Sequence, residues 1–279
     1  MFPKGLPVFD YSVTFATLNC LDYTRQCVDS LERSGTPLDR VVVVDNCSTD
    51  GTQDYLAARG LGKVVLNKQN LSCGAAWNQG IFGFQTEWTI VMNNDIVVTH
   101  DFAEKLIAHA VQNKLRLVSP ARVDGLLNYD FDDFAANSQN KMEPVARSFS
   151  SNAICMCIHW SLFQEIGFFR SHPALLGFED AIFFNDLRRS KLPHATTGSV
   201  WIHHFGSVTQ EHMKMVLGIA PQRELVRVND RELLHQGWWE RKMQQYQRKA
   251  SHRQWRRDEL QNYGMTLHAA RPENTFIWL

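Results

Sequence analysis

The chain has 279 residues, 44 % of them hydrophobic and 21 % charged, the make-up of an ordinary globular protein with room for one large α/β domain or two small ones. Lys plus Arg and Asp plus Glu number 29 each, so whole-chain charge points to neither nucleic acid nor an anionic membrane, although residues 223–257 hold ten Lys/Arg against four Asp/Glu. No apolar run approaches the ~20 residues that span a bilayer, and the opening MFPKGLPVFDYS, with two prolines and no apolar core, does not read as an export signal.

The first half alternates strand and helix patterns. YSVTFATLN (11–19) reads as a strand. LDYTRQCVDSLERSG (21–35) reads as a helix, with Asp22 as its cap, an apolar stripe of Cys27, Val28 and Leu31, and Gly35 as its stop. RVVVVDN (40–46) is nearly pure valine, as in a parallel strand buried on both faces. TQDYLAARG, KVVLN, CGAAWNQGIFGF, EWTIVMNND, DFAEKLIAHAVQN and LRLVSP then continue as helix, strand, helix, strand, helix and strand. Such alternation predicts right-handed crossovers and a mostly parallel central sheet flanked by helices.

Residues 121–150 are polar, rich in Asp and Asn and weakly periodic, and read as a long loop or irregular hairpin. NAICMCIHW (152–160) resumes as a strand, SLFQEIG is a short helix, FEDAIFFNDLRRS (178–190) a helix, and ATTGSVWIHHFGS (195–207) a strand ending in two histidines. After Pro221 a helical stretch dense in Arg, Gln and Trp runs to about Asn262. The six cysteines (Cys20, Cys27, Cys47, Cys73, Cys155 and Cys157) form no CxxC pair, so they read as reduced thiols rather than a zinc site or disulfide framework.

In an open parallel sheet, ligands bind beyond the carboxyl ends of the strands. Three polar clusters fall there: Thr17-Leu18-Asn19, the run from Asp45 to Gly51, and Asn93-Asn94-Asp95. Asp45 is a candidate ligand for a nucleotide base or ribose, with Asp50 as the cap of the following helix. No GxGxxG or GxxxxGKS loop accompanies them. Asp95 is a candidate ligand for Mg²⁺ or Mn²⁺, which favour oxygen donors and often bind through one or two carboxylates plus substrate phosphates; the plainer reading is a strand-ending Asx turn. Glu179 and Asp180 suit a helix N-terminus, where acidic groups meet free N–H groups, and that is the plainer reading; the sharper one makes one of them a general base. The pair His203-His204 at a strand end is a candidate for metal ligation.

Six segments in this order resemble family 2 glycosyltransferases with the GT-A fold, particularly the bacterial rhamnosyltransferase-like branch: VTFATLNC, VVVVDNCSTDGT, NKQNLSCGAAWNQGI, IVMNND, GFEDAIFFNDLRR and HHFGSVT, together spanning about residues 11–210. The resemblance implies a catalytic domain over 1–210, with a nucleotide-sugar half (about 11–120) and an acceptor half (about 121–210); outside it, residues 211–279 read as a basic, Trp-rich helical extension. It implies that Thr17, Asn19 and Asp45 meet the nucleotide base and ribose. Asn70, Gly74 and Asn78 match the segment lining the donor site. Asn93-Asn94-Asp95 matches the family's DxD position, with Asp95 as metal ligand and Asn93 in place of the first aspartate. Asp180 matches the catalytic base, with Glu179 beside it. The metal-associated histidine is taken as His204, with His203 as the alternative, because an alternating strand cannot point both rings the same way.

The resulting expectation is a metal-dependent (Mn²⁺ or Mg²⁺), inverting glycosyltransferase. It would move a sugar from a nucleoside-diphosphate donor to a hydroxyl of a glycan or lipid-linked glycan, in the cytoplasm or peripherally at the inner face of the membrane. The alternatives are a catalytically silent sugar-nucleotide-binding or scaffold protein on the same fold, and a sugar nucleotidyltransferase. For the C-terminal stretch three readings stand: a basic helix on an anionic membrane, an arm on a partner subunit of a homo-oligomer, or a helix whose aromatics cover the catalytic domain. No nucleic-acid motif is present.

Overall fold

A computed structural model describes residues 8–170, 178–206, 208–216, 234 and 237–279. Strand β1 (Tyr11–Thr17) lies between β2 (Val41–Asp45) and β4 (Trp88–Met92), parallel to both, and β2 pairs in parallel with β3 (Lys63–Leu66). All five residues of β2 are buried, which is what its run of valines anticipates. Helices α1 (Leu21–Arg33), α2 (Thr52–Ala58) and α3 (Cys73–Ile81) make the crossovers.

The cap of α1 differs from expectation. Asn19 and Cys20 both take left-handed backbone conformations (φ 56° and 59°), which turn the chain so that Asp22 already lies inside the first turn. Asp50 does the capping: one carboxylate oxygen accepts the Leu21 N–H at 2.9 Å, and the other accepts the Thr52 N–H and hydroxyl at 3.2 and 2.6 Å. A single side chain thus ties the starts of α1 and α2 together.

The parallel expectation holds for this half; the remainder of the sheet is mixed. β8 (Cys155–His159) runs antiparallel to β4 and to β6 (Leu117–Gly125), while β6 is parallel to β9 (His194–His204) and to β10 (His268–Arg271). The short β5 (Ile96–Val98) and β7 (Ala146–Ser148) pair antiparallel with β9, and β11 (Ile277–Trp278) pairs antiparallel with β10. The sheet order is β11-β10-β6-β8-β4-β1-β2-β3.

Two apolar layers enclose the strands, because alternate residues face opposite ways. Tyr11, Val13, Phe15, Ile90 and Met92 pack on Val28 and Leu31 of α1 and on Phe102, Leu106 and Ile107 of α4 (Phe102–Gln112). Val91, Met156 and Ile158 pack on Trp77 and Ile81 of α3, on Leu162 and Phe163 of α6 (Trp160–Ile166), and on Phe183 and Leu187 of α7 (Glu179–Ser190).

The stretch 121–150 is more regular than its composition suggests. β6 continues to Gly125, and α5 (Phe131–Met142) follows, capped by Asp130, whose Oδ1 accepts the Asp133 N–H at 2.9 Å. Its buried residues Phe131, Ala135, Ser138 and Met142 fall at helical spacing, with Asp, Asn and Gln on the solvent face diluting the pattern.

In the C-terminal region, residues 221–233 of the expected helix lie outside the described residues. α8 (Val208–Val216) follows β9, and α9 (Trp238–Tyr263) ends at Gly264. Glu259 alone among the α9 residues is fully buried. It makes a two-pronged ion pair with Arg147 of β7, both bonds 2.7 Å, and accepts the Leu267 N–H at 2.9 Å. Of the aromatics in this stretch, Trp238, Trp239 and Tyr246 are exposed, and Trp255 packs over Arg147. Beyond the helix, β10 and β11 extend the same sheet, an addition that the helical reading of this region did not include.

Candidate active site

The strand ends converge as expected. Thr17 and Leu18 after β1, Asn46 after β2, Asn70, Asn93-Asn94-Asp95 after β4, Glu179-Asp180 at the start of α7, and His204 at the end of β9 all line one cleft of about 330 Å³. Cys73, Trp77, Ala153, Ile154, Thr209 and Met213 also line it. None of these six was identified from the sequence, because nothing in their local pattern distinguishes them from core or loop residues.

Asp95 and His204 are brought together by backbone pairing. Ile96 opposes His204 across the β5–β9 ladder, and the Phe205 N–H donates to the Asp95 carbonyl at 3.0 Å. Both side chains are buried, and Asp95 Oδ1 stands 3.6 Å from His204 Nε2. Among the described residues neither atom has a hydrogen-bond partner. The other ends are satisfied: Asp95 Oδ2 accepts the Val208 N–H at 3.3 Å, and His204 Nδ1 lies 2.9 Å from Asp124 Oδ1. A carboxylate there can only accept, so His204 donates from Nδ1, and in the neutral ring this turns the Nε2 lone pair toward the Asp95 oxygen. Two buried lone pairs facing each other are poor neighbours for one another and good ligands for a cation. Among the described residues no group of three or more His, Cys, Asp or Glu is placed to hold a metal ion together. The described residues therefore offer one oxygen and one nitrogen, leaving the other positions to water and phosphate, as Mg²⁺ and Mn²⁺ commonly accept. The residues present fit such an ion.

His203 is corrected as the alternative ligand. It points to the opposite face, fully buried, with Nδ1 3.0 Å from the Tyr129 hydroxyl and Nε2 3.0 Å from the Gly125 carbonyl oxygen. Burial brings it down to about 4, so it is a neutral core histidine with both ring nitrogens engaged.

The Asn94 amide holds this corner together. It donates to the hydroxyls of Thr24 (3.0 Å) and Thr17 (3.3 Å) and accepts from Thr209 (3.4 Å), joining β1, α1 and α8. Burial raises the Asp95 carboxyl; His204, the Val208 N–H and the Asn93 side chain oppose the rise without cancelling it.

Of the other residues expected to meet the donor, four act behind the cleft surface. Asp45 is fully buried: its Oδ2 accepts the N–H groups of Cys47 (3.1 Å) and Ser48 (2.9 Å) and the Gln53 amide (2.7 Å), while Oδ1 has no hydrogen-bond partner among the described residues. Asn19 braces the same loop, donating its N–H to Ser48 Oγ at 2.7 Å and accepting the Thr49 N–H at 2.8 Å. Asn78 clamps the chain at Phe169, donating to its carbonyl (2.7 Å) and accepting its N–H (3.1 Å). Gly74 lets α3 approach α7: a Cβ there would stand 2.7 Å from Glu179 Cγ and 2.9 Å from the Arg170 carbonyl oxygen.

Glu179 is buried against the start of α3, where the Gly74 N–H donates to it at 3.4 Å. Asp180 is partly exposed to the cleft and accepts the Ala181 N–H at 2.7 Å. Burial raises the Asp180 carboxyl; the Ala181 N–H pulls it back and the Glu179 charge pushes it up again. A carboxylate with a raised proton affinity in a cleft is suited to taking a proton from a hydroxyl.

Solved structures share this architecture at low identity. The chain matches GalNAc-T7 with UDP, GalNAc and Mn²⁺ (TM-score 0.55, 16 % identity, 70 % of this chain and 44 % of that one). It also matches S. aureus TarS (0.55, 16 %, 74 % and 38 %). A third match is the mannosyltransferase PcManGT from Pyrobaculum calidifontis in complex with GDP-Man and Mn²⁺ (0.54, 15 %, 82 % and 69 %). These likenesses show the GT-A-type fold, and the chain spans less than half the length of the first two. No curated protein matches the chain. The model of glycosyl transferase family 2 matches residues 12–166, more than half the chain, and covers β1 through α6 with the ends of β1, β2 and β4 that line the cleft; the chain belongs to glycosyl transferase family 2.

Proposed function

We propose that this protein transfers a sugar from a nucleoside-diphosphate donor to an acceptor hydroxyl by a single displacement with inversion, assisted by a divalent cation. The observation that carries the reading is the sharing of one cleft by Asp180 and the facing Asp95 and His204. Solved structures of similar fold hold UDP, GalNAc and Mn²⁺, or GDP-Man and Mn²⁺, which supports a nucleotide-sugar donor and a divalent ion.

Asp180 accepts the proton of the acceptor hydroxyl as its oxygen bonds to the anomeric carbon. The bond between that carbon and the donor phosphate breaks, and its electron pair leaves with the nucleoside diphosphate. Glu179, behind Asp180, keeps its neighbour's proton affinity high and orients the start of α7. Asp95 and His204 would hold the ion, which when bound supplies positive charge to the departing diphosphate. Thr17, Asn70, Asn93 and Asn94 line the donor side of the cleft, with Asn19, Asp45, Gly74 and Asn78 shaping it from behind. Residues 1–210 act as the catalytic domain in this reading, with 11–120 serving the donor and 121–210 the acceptor.

The acceptor we infer is a bacterial surface glycan or its lipid-linked precursor, met at the cytoplasmic face of the membrane. Exposed Trp239, Met243 and Tyr246 share a face of α9 with Lys242 and Arg253, the mixture that favours an anionic lipid surface. No helix among the described residues is long and apolar enough to cross a membrane.

The test is donor turnover and transfer across a panel of UDP-, GDP- and dTDP-sugars, a rhamnosyl donor included, with Mn²⁺, with Mg²⁺ and with chelator. Metal-stimulated release of nucleoside diphosphate and an inverted product support the reading. Binding without turnover of any donor, with a lipid-linked glycan present, would favour a silent sugar-nucleotide binder. Flotation with anionic against neutral vesicles checks the α9 surface.

A further inference from the structure

Beyond the cleft, one row of polar side chains crosses three strands on one face of the sheet. β6 lies between β9 and β10, with Asp124 opposite His204 on one side and Arg122 opposite His268 on the other. The β6–β9 register shifts between Pro120 and Ala121, pairing Pro120 with Thr197 but Ala121 with Trp201, and this shift aligns Asp124 with His204. Arg122 Nε donates to both Asp124 oxygens at 3.1 and 3.2 Å, and Arg122 Nη2 lies 3.4 Å from His268 Nδ1. His268 Nε2 lies 2.6 Å from Asp124 Oδ2.

The tautomers follow from the donor inventory. Arginine has no acceptor, so His268 Nδ1 must accept and His268 Nε2 carries the proton that it donates to Asp124. Asp124 Oδ1 is then left to accept from His204 Nδ1, which in the neutral ring leaves His204 Nε2 as the lone pair facing Asp95. Arg122 thus starts a chain of directed bonds that ends at the atom offered to a cation. A ligand histidine anchored through its second nitrogen is held in both ring orientation and tautomer.

We propose that His268 is a positioning residue of the cation site, acting through Asp124 on His204, so that the C-terminal strand β10 is a working part of that site. The proposal rests on the reading of Asp95 and His204 as cation ligands. It assigns a function to a segment outside the family match, which ends at residue 166. Leu267, one residue before His268, donates its N–H to the buried Glu259 of α9 and its carbonyl accepts the Arg122 N–H at 3.1 Å, so the ring is delivered by a fixed backbone.

The test titrates Mn²⁺ into the full chain with saturating UDP, and separately GDP, and follows free Mn²⁺ by electron paramagnetic resonance. His268→Ala should weaken Mn²⁺ binding by roughly 10–100-fold, with UDP or GDP binding in chelator unchanged. His268→Gln, whose amide N–H replaces the Nε2 donor, should restore most of the affinity. In the metal-free wild type, nitrogen NMR of the ring should show His204 protonated at Nδ1 and His268 at Nε2. The opposite tautomer at either residue, or a folded His268→Ala protein binding Mn²⁺ as the wild type does while Asp95→Ala does not, would overturn this proposal alone. A wild type that binds no Mn²⁺ under either nucleotide would remove the cation reading and this proposal with it. If His268→Ala does not fold, the wild-type tautomers decide.

Discussion

Glu259→Gln isolates the contact that ties the C-terminal segment to the sheet. The Glu259 and Arg147 side chains are 5 % and 6 % exposed, so the pair has almost no access to screening water. Glu259 accepts three bonds, two from the Arg147 guanidinium and one from the Leu267 N–H. Gln keeps the volume and one oxygen but removes the charge, leaving the guanidinium buried without its counter-ion. Breaking such a pair costs about 3–5 kcal/mol, against about 0–1 for an exposed one. At ~2–4 °C per kcal/mol for a domain of this size, the melting midpoint should fall by roughly 10 °C. Thermal and urea denaturation followed by circular dichroism read the loss. Arg147→Met combined with Glu259→Leu should recover most of it, because a well-packed apolar pair avoids the desolvation penalty. A Glu259→Gln protein within about 1 kcal/mol of wild type would refute the reasoning, since that is the worth of a pair in water.

Asp180→Asn retains the acceptor for the Ala181 N–H, so donor affinity should hold while transfer falls about 10²–10⁴-fold; unchanged transfer would remove Asp180 as the base. Because burial raises the Asp180 carboxyl and the base must be ionised, wild-type kcat should decline as pH falls through a midpoint above the ordinary aspartate value of about 3.9, and that limb should vanish in the variant. Gly74→Ala forces Glu179 or the Arg170 carbonyl to move and should lower stability by about 1–3 kcal/mol together with turnover, checked by denaturation and initial rates. His203→Gln should destabilise the core without changing Mn²⁺ affinity and His204→Gln should do the reverse, which calorimetry of both variants separates.

The donor-side half of the fold was legible because its signals are local. Valine runs and strand-end polar clusters each sit within about ten residues, and Thr17, Asn70, Asn93, Asn94, Asp95, Asp180 and His204 do meet in one cleft. Asp45 and Asn78 were legible as polar residues at the right places but not in orientation: whether a carboxylate faces a ligand or its own loop depends on the turn that follows, and Asp45 closes that turn on Cys47 and Ser48. The misread stretch 121–150 shows the converse, a short helix whose four buried positions are outnumbered by polar ones. Asp124 fell inside that misread stretch. His268 was out of reach for a different reason: it meets Asp124 across 144 residues, through a strand pairing that no local pattern encodes.

The two-ligand character of the site makes a last prediction about order. One oxygen of Asp95 and one nitrogen of His204 cannot fill an octahedral shell, and no third His, Cys, Asp or Glu among the described residues joins them. An ion held so incompletely gains its remaining ligands from water or from the donor's diphosphate. Mn²⁺ should therefore bind weakly to the protein alone and much more tightly once UDP or GDP is present. Linkage requires the effect to be reciprocal: Mn²⁺ must tighten diphosphate binding by the same factor. Calorimetric titrations in both orders measure the two factors independently. Equal factors well above one, lost together in Asp95→Ala, are the expected result. Tight Mn²⁺ binding without nucleotide would mean that further ligands come from elsewhere in the chain, and the two-ligand argument would fail.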